Sequence, residues 1–388
     1  MNDYTKTLLF HKIHGYVAAG SVGNSMGELP ECYTVEERRK YWGYIDYMPE
    51  VRKHMGDYPP SITERAPALY DPGLGYPSIR HPHVRRPGTT EDGEERFRLL
   101  STAIIEKGGR IDIIDLAKVW IRDIRPDMFG WQVPSQDQVI YYAIKAGVHP
   151  WEVGRYATYA GFYGTTKMMG AVGVVNACFP EQAAMDAMEL GRLKDVRGIP
   201  GNYAIEVAAA HSAGVAAALM PDATVDMVLE AAMKVLSPTP RKEFCEVLEI
   251  AQKCNDPEEY GRLLQDKYIN RPTANAVEIL SKAYGILHMT KADPRSAILY
   301  GVNAGRDTDC CAHTAGSLAG ALTGIEAVPA DWVKTVDDAM KINEHTTSNR
   351  TSFETADGLY KAALNNMERM RRVIDTIGKC NTAEFAGF

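Results

Sequence analysis

An all-α fold is predicted by three features of the sequence. Apolar residues recur with helical spacing along most of its 388 residues, strand-like alternation is scarce, and small residues repeat every third or fourth position in two of the helical segments. The helical segments are 5–26, 94–107, 180–193, 203–220, 223–236, 241–254, 274–288, 309–323 and 352–377. Connections such as Ser237-Pro238-Thr239-Pro240 and Asn270-Arg271-Pro272 read as turns between packed helices rather than linkers between domains. One domain spanning 1–388, without internal repeats, is the expectation.

Taken in order, the first segment places Gly20, Gly23 and Gly27 on one face, where they let another helix backbone come close. The stretch 31–88 breaks the pattern, because Pro49, Pro59, Pro60, Pro67, Pro72, Pro77, Pro82 and Pro87 exclude any long helix. It is also rich in aromatics, with Tyr41, Trp42, Tyr44 and Tyr47 followed by Tyr58, Tyr70 and Tyr76. So many aromatics argue against disorder, leaving a loop packed over the helices, an oligomer contact, or a substrate lid. Segment 94–107 follows Thr89-Thr90-Glu91-Asp92-Gly93-Glu94-Glu95, which alone reads as a routine helix start with Thr or Asp as cap, ahead of the stripe Phe97, Leu100 and Ile104. His211 on the alanine-rich 203–220 helix reads as a core histidine with its bonds satisfied. In 309–323 and just beyond, Ala312, Gly316, Gly320 and Gly324 recur every fourth residue and line one side.

With 45% hydrophobic and 24% charged residues, the chain can bury a full core without disulfides or structural metal. A net charge of -7 argues against a dedicated nucleic-acid or anionic-membrane binder and leaves small polar substrates open. The longest apolar stretch, 203–220, is interrupted by Glu206 and His211, so no membrane span is expected. Seven cysteines without framework spacing, and a start (Met1-Asn2-Asp3-Tyr4-Thr5-Lys6) that lacks signal-peptide character, make the cytoplasm the expected compartment.

The most informative run is Gly305-Arg306-Asp307-Thr308-Asp309-Cys310-Cys311. A helix start accounts for one carboxylate as a cap; a second, one residue away, is repelled by the first unless a cation lies between them. If the two glycine-striped helices pack antiparallel, Glu28, Pro30 and Glu31 fall beside Asp307 and Asp309. Oxygens from the 89–95 helix start could then join them around Mg²⁺ or Mn²⁺. Three lesser candidates remain: Arg80-His81-Pro82-His83-Val84-Arg85-Arg86 as a solvated basic loop or diphosphate site, Gly164-Thr165-Thr166-Lys167 contacting ribose or phosphate through backbone N–H groups, and Trp131 with Gln132 lining a cleft.

Three stretches, in order, resemble the ADP-ribosylglycohydrolase family, which includes the dinitrogenase-reductase-activating glycohydrolases and the J1 crystallins. They are Gly20-Ser21-Val22-Gly23-Asn24-Ser25-Met26-Gly27-Glu28-Leu29-Pro30-Glu31, then Thr90-Glu91-Asp92, then Gly305-Arg306-Asp307-Thr308-Asp309-Cys310 continuing to Pro329 and Trp332. The stretch 164–173 resembles the family's glycine-containing substrate loop more loosely, and the proline-rich insertion is not covered. The resemblance implies an orthogonal all-α bundle holding two Mg²⁺ ions in a cleft, where a ribose is cleaved from its leaving group. It implies Thr90, Glu91, Asp92, Asp307, Asp309 and Cys310 as metal positions, Glu31 and Asp92 as catalytic groups, and Asn24, Gly164, Thr165 and Thr166 on the substrate side, where the cleft-lining candidate Trp131 is also expected.

The chain departs from the family pattern at three of these positions. Glu91 and Asn24 each stand where Asp is usual, and Cys310 stands where Thr is usual. Sulfur is a poor partner for Mg²⁺, so one ion, or a softer one such as Mn²⁺, is the alternative to two. The expectation is a metal-dependent hydrolase of a ribosyl N- or O-glycosidic bond, acting on a small-molecule or protein-linked riboside such as an ADP-ribosyl conjugate. A catalytically silent, crystallin-like or ligand-binding relative is the alternative.

Overall fold

The computed structural model describes residues 4–53, 83–128, 133–196, 201–343 and 346–382. Helices make up most of it. The first half contains α1 (Leu8–Gly27), α2 (Val35–Trp42), α3 (Asp92–Lys107), α4 (Ile113–Asp123), α5 (Ser135–Lys145), α6 (Pro150–Val153), α7 (Gly164–Met168), α8 (Gly170–Val175) and α9 (Pro180–Leu190). The second contains α10 (Ala204–Ala218), α11 (Val225–Val235), α12 (Pro238–Ala251), α13 (Pro257–Tyr268), α14 (Ala276–Met289), α15 (Pro294–Asn303), α16 (Thr308–Thr323), α17 (Ala330–Met340) and α18 (Ser352–Thr382). Two short strands, β1 (Val51–Lys53) and β2 (His83–Arg85), pair antiparallel with Arg52 opposite Val84.

The centre of the array is α1 against α16, which share the most extensive contact in the molecule. They run antiparallel: a methyl group on Gly15 would sit 2.3 Å from Gly320 O, one on Gly23 2.3 Å from Ala312 O, and one on Gly27 2.4 Å from Asp309 Cα. Backbones this close leave no room for side chains, so the two stripes of small residues are what set the approach. Both helices are buried nearly end to end, and the alanine-rich α10 is buried as fully. The anticipated antiparallel pairing is therefore observed, and it carries the end of α1 to the start of α16.

Two expectations change in detail. Pro238 belongs to α12 rather than to the turn before it: Ser237 occupies the cap position and Pro238 the first turn, where a missing N–H costs nothing. Within the 31–88 insertion, Arg38 and Ile45 tie the chain to the bundle, while Tyr41, Tyr44 and Tyr47 are exposed. Thr34 and Glu37 form a reciprocal capping box at the start of α2. Arg38, 0% exposed, donates to Glu258 Oε1 at 2.7 Å and to Asn303 O at 3.1 Å, while the Asn303 amide clamps both backbone groups of Ile45. Tyr58, Tyr70 and Tyr76 lie outside the described residues.

Candidate active site

The start of α16 is fixed by a turn in which both residues have positive φ, Gly305 at 71° and Arg306 at 62°. A non-glycine residue in this region is strained, and it persists only where its surroundings impose it. Here Arg306 N donates to Tyr33 O and Cys32 N to Arg306 O, each at 2.7 Å, and the buried guanidinium grips Glu278. Asp307 then caps α16 by accepting from Cys310 N at 3.2 Å, and Thr308 Oγ1 donates to Gly27 O at 2.6 Å. Asp307, Asp309 and Cys310 bring three ligand-type atoms within 4.8 Å of one another, an arrangement that could hold a metal ion. Asp309 is 1% exposed and its Oδ1 has no hydrogen-bond partner among the described residues.

The start of α3 is organised differently. Its cap is Glu91, in place of the Thr or Asp anticipated, with the carboxylate accepting from Gly93 N at 2.9 Å. Asn24, fully buried, spends both ends of its amide on Glu91: its Oδ1 accepts from Glu91 N at 2.8 Å and its Nδ2 donates to Glu91 Oε1. It faces the acidic loop instead of an open surface, which departs from its anticipated place on the substrate side. Asp92 is paired with Arg96 at 2.5 Å, Arg96 also grips Asp137, and Lys194 approaches Asp137 at 3.2 Å. Thr90 Oγ1 accepts from Arg98 at 3.2 Å.

Between the two starts lies Lys167, 0% exposed. Its Nζ bonds Glu91 Oε1 and, at 2.8 Å, Asp309 Oδ2, with Cys310 Sγ at 3.6 Å. From the sequence, 164–167 was expected to act through its backbone N–H groups, and the Lys167 side chain was not singled out. The N–H groups of Thr166 and Lys167 bond Tyr163 O, closing the turn of α7, and the side chains of Thr165 and Thr166 are buried. One signal was present: Lys167 is the lone charge in an otherwise small and apolar run from 164 to 175. Trp131 and Gln132 lie outside the described residues, as do Arg80, His81 and Pro82 of the basic 80–86 run, whose residues His83–Arg85 form β2.

Electrostatics separates these acids. Burial raises Glu91, but Lys167 outweighs it and holds the carboxyl well below the usual range. Burial would lower Lys167, yet Asp309 and Glu91 keep it protonated, well above an ordinary lysine. Burial pushes Asp92 up; Arg96 opposes this, Glu91 adds to it, and the net direction is upward. Asp307 is also raised, by burial and then by the charges of Asp309 and Glu31, and it forms no ion pair among the described residues. Glu31 is half-buried and the Asp92 side chain is 25% exposed, whereas Glu91, Lys167 and Asp309 are buried. His211 is a core residue as anticipated: its Nε2 lies 3.5 Å from Tyr16 Oη and its ring meets Tyr284 edge-on, although its Nδ1 has no hydrogen-bond partner among the described residues.

Comparison with known proteins agrees with this architecture. The profile described as ADP-ribosylglycohydrolase matches residues 5–368. A solved structure described as an "ADP-ribosylglycohydrolase-related protein complex" superposes with a TM-score of 0.56 at 17% identity, covering 92% of this chain and 99% of that one, a likeness of fold. Comparison with curated proteins gives no match. Among the described residues no helix is long and apolar enough to cross a membrane. With its all-α fold and its family motifs gathered at two adjoining helix starts, the chain belongs to the ADP-ribosylglycohydrolase family, a family of glycosidic hydrolases.

Proposed function

We propose that this protein hydrolyses a ribosyl N- or O-glycosidic bond, of an ADP-ribosyl conjugate or a related riboside, with Glu31 and Asp92 as its acid–base groups. The observation that carries this reading is the convergence of acids from two distant helix starts, Glu91 and Asp309, on one buried ammonium, with Asp92, Glu31 and Cys310 reaching solvent beside them. Glycosidic cleavage needs a proton for the leaving group and a base for water, while positive charge builds on the sugar. Burial keeps a proton on Asp92 longer than on an ordinary aspartate, which suits donation to a leaving group. Glu31, next to Asp307, is suited to take a proton from water and to offset charge at the anomeric carbon. Asn24 acts indirectly, by holding Glu91.

The donor set supports one divalent ion rather than two. Asp307, Asp309 and Cys310 converge, and Asp309 Oδ1 is buried and unpartnered, as a ligand atom for a hard cation would be. Glu91, Asp92 and Thr90 do not fit a second ion, because Lys167, Arg96 and Arg98 already bond them. An ion at Asp307 and Asp309 would supply Lewis acidity to oxygens bound beside it. Oxygen ligands favour Mg²⁺, and the thiol of Cys310 tilts the choice toward Mn²⁺.

The test is release of ribose or ADP-ribose from ADP-ribosyl and simple ribosyl conjugates by metal-stripped protein with Mg²⁺ or Mn²⁺ restored. Turnover that requires the ion and is lost in Glu31→Gln is the expected result. A second reading, a silent relative that binds without cleaving, is favoured by the side-chain cations at Glu91 and Asp92. Binding of conjugates without turnover with either ion would select it.

A further inference from the structure

Lys167 is the basic side chain that, among the described residues, joins acids from both helix starts. We propose that it is a built-in cation: its ammonium takes the place of a divalent ion between Glu91 and Asp309, so that the centre accepts at most one such ion, at Asp307 and Asp309 Oδ1. The proposal rests on the metal site inferred above, and it adds a residue that neither the motifs nor the family match points to.

Three observations carry it. The first is position: Nζ lies 2.8 Å from Asp309 Oδ2 and also bonds Glu91, with all three side chains between 0% and 6% exposed. Two buried carboxylates this close to one point need a cation, and the chain supplies its own. The second is the slot through which the lysine reaches. A methyl group on Gly93, in the first turn of α3, would sit 2.3 Å from Lys167 Cδ. A side chain at this position would collide with the lysine stem, so the glycine admits it. The third is Cys310. Its sulfur is a weak ligand for a hard ion, yet 3.6 Å from an ammonium it needs only to accept a weak hydrogen bond. The unusual residue at position 310 and the lysine thus account for each other.

The substitution changes the chemistry available. An ammonium carries one charge instead of two and cannot act as a Lewis acid on water or on a ribose hydroxyl. It positions Glu91 and Asp309 and leaves the second of these shared with the single ion. Lys167 is on this account a positioning residue.

The experiment is calorimetric titration of metal-stripped wild type and Lys167→Met with Mn²⁺, with electron paramagnetic resonance counting the bound ions. Wild type is expected to bind no more than one ion per chain and Lys167→Met one more, with Mn²⁺ raising the melting temperature of the variant by more than that of wild type. Two ions in wild type, or no gain in a folded variant, would overturn the proposal. Should Lys167→Met fold only with Mn²⁺ present, the gained site is demonstrated; failure to fold even then also overturns it, because the ion should replace the ammonium. Two ions in a wild type that hydrolyses ribosyl bonds defeats the lysine proposal alone, whereas the expected ion counts without hydrolysis of any conjugate defeat the hydrolase reading alone.

Discussion

The starts of α3 and α16 have similar acidic sequences and opposite electrostatic fates. At α3, Glu91 meets Lys167 and Asp92 meets Arg96. At α16, Asp307 has no ion pair among the described residues, and Asp309 shares Lys167 while keeping Oδ1 unpartnered. A pair of adjacent acids at a helix start is thus no measure of a metal site by itself. What matters is how many of its lone pairs the rest of the chain has already engaged, because burying an anion is tolerated only when something offsets its charge.

The sharpest way to break this contrast is Asp309→Ala, which removes the residue shared by both halves. Ribosyl hydrolysis should fall on the order of 10²–10⁴-fold with the helical circular dichroism unchanged; activity equal to wild type would end the site assignment. Next comes Lys167→Met in metal-free buffer. Two buried carboxylates lose their cation, and urea unfolding should show a loss of about 3–5 kcal/mol. If instead the variant matches wild type, the α3 acids are neutralised in some other way.

Gly27→Ala tests whether helix approach sets the contrast, since its new methyl would meet Asp309 Cα at 2.4 Å. Overpacking of this kind costs about 1–3 kcal/mol and should weaken Mn²⁺ binding along with stability; an effect on stability alone would separate the packing from the site. His211 serves as a control that bonds neither helix start. Burial lowers its pKa from 6.5 to about 3. The unfolded chain takes up that proton below 6.5 while the folded one does not until about 3. The contribution is therefore complete above pH 6.5 and lost as pH falls through this window, with a slope of up to about 1.4 kcal/mol per pH unit. Urea midpoints measured against pH should show a shallower acid slope in His211→Gln, and Mn²⁺ should not alter the difference. The smallest expected effect is that of Cys310→Thr, which restores an oxygen to the α16 side. Calorimetry should show Mg²⁺ binding up to about tenfold tighter, ~1.4 kcal/mol, and unchanged affinity would remove Cys310 from the ligand set.

Much of this architecture was legible in the sequence. Helical spacing located the segments, and the small-residue repeats at Gly20, Gly23 and Gly27 and at Ala312, Gly316 and Gly320 foretold the α1–α16 contact, because only a face without side chains allows such an approach. The roles at the site were less legible. Asn24 was anticipated on the substrate side and instead holds Glu91, since whether an amide faces a ligand or a neighbouring loop depends on what packs against it.

By itself, the sequence indicated the all-α class, many of the helices, the two small-residue faces at the centre, the family and the acids at two helix starts, because periodicity and small-residue spacing act along one segment at a time. Only the tertiary structure decided which of those acids would be neutralised. Lys167 lies 76 residues from Glu91 and 142 from Asp309 along the chain, and it reaches both because α3, α7 and α16 meet where it is buried. The partner of a buried charge is chosen by distance in space, and no spacing along the chain records it.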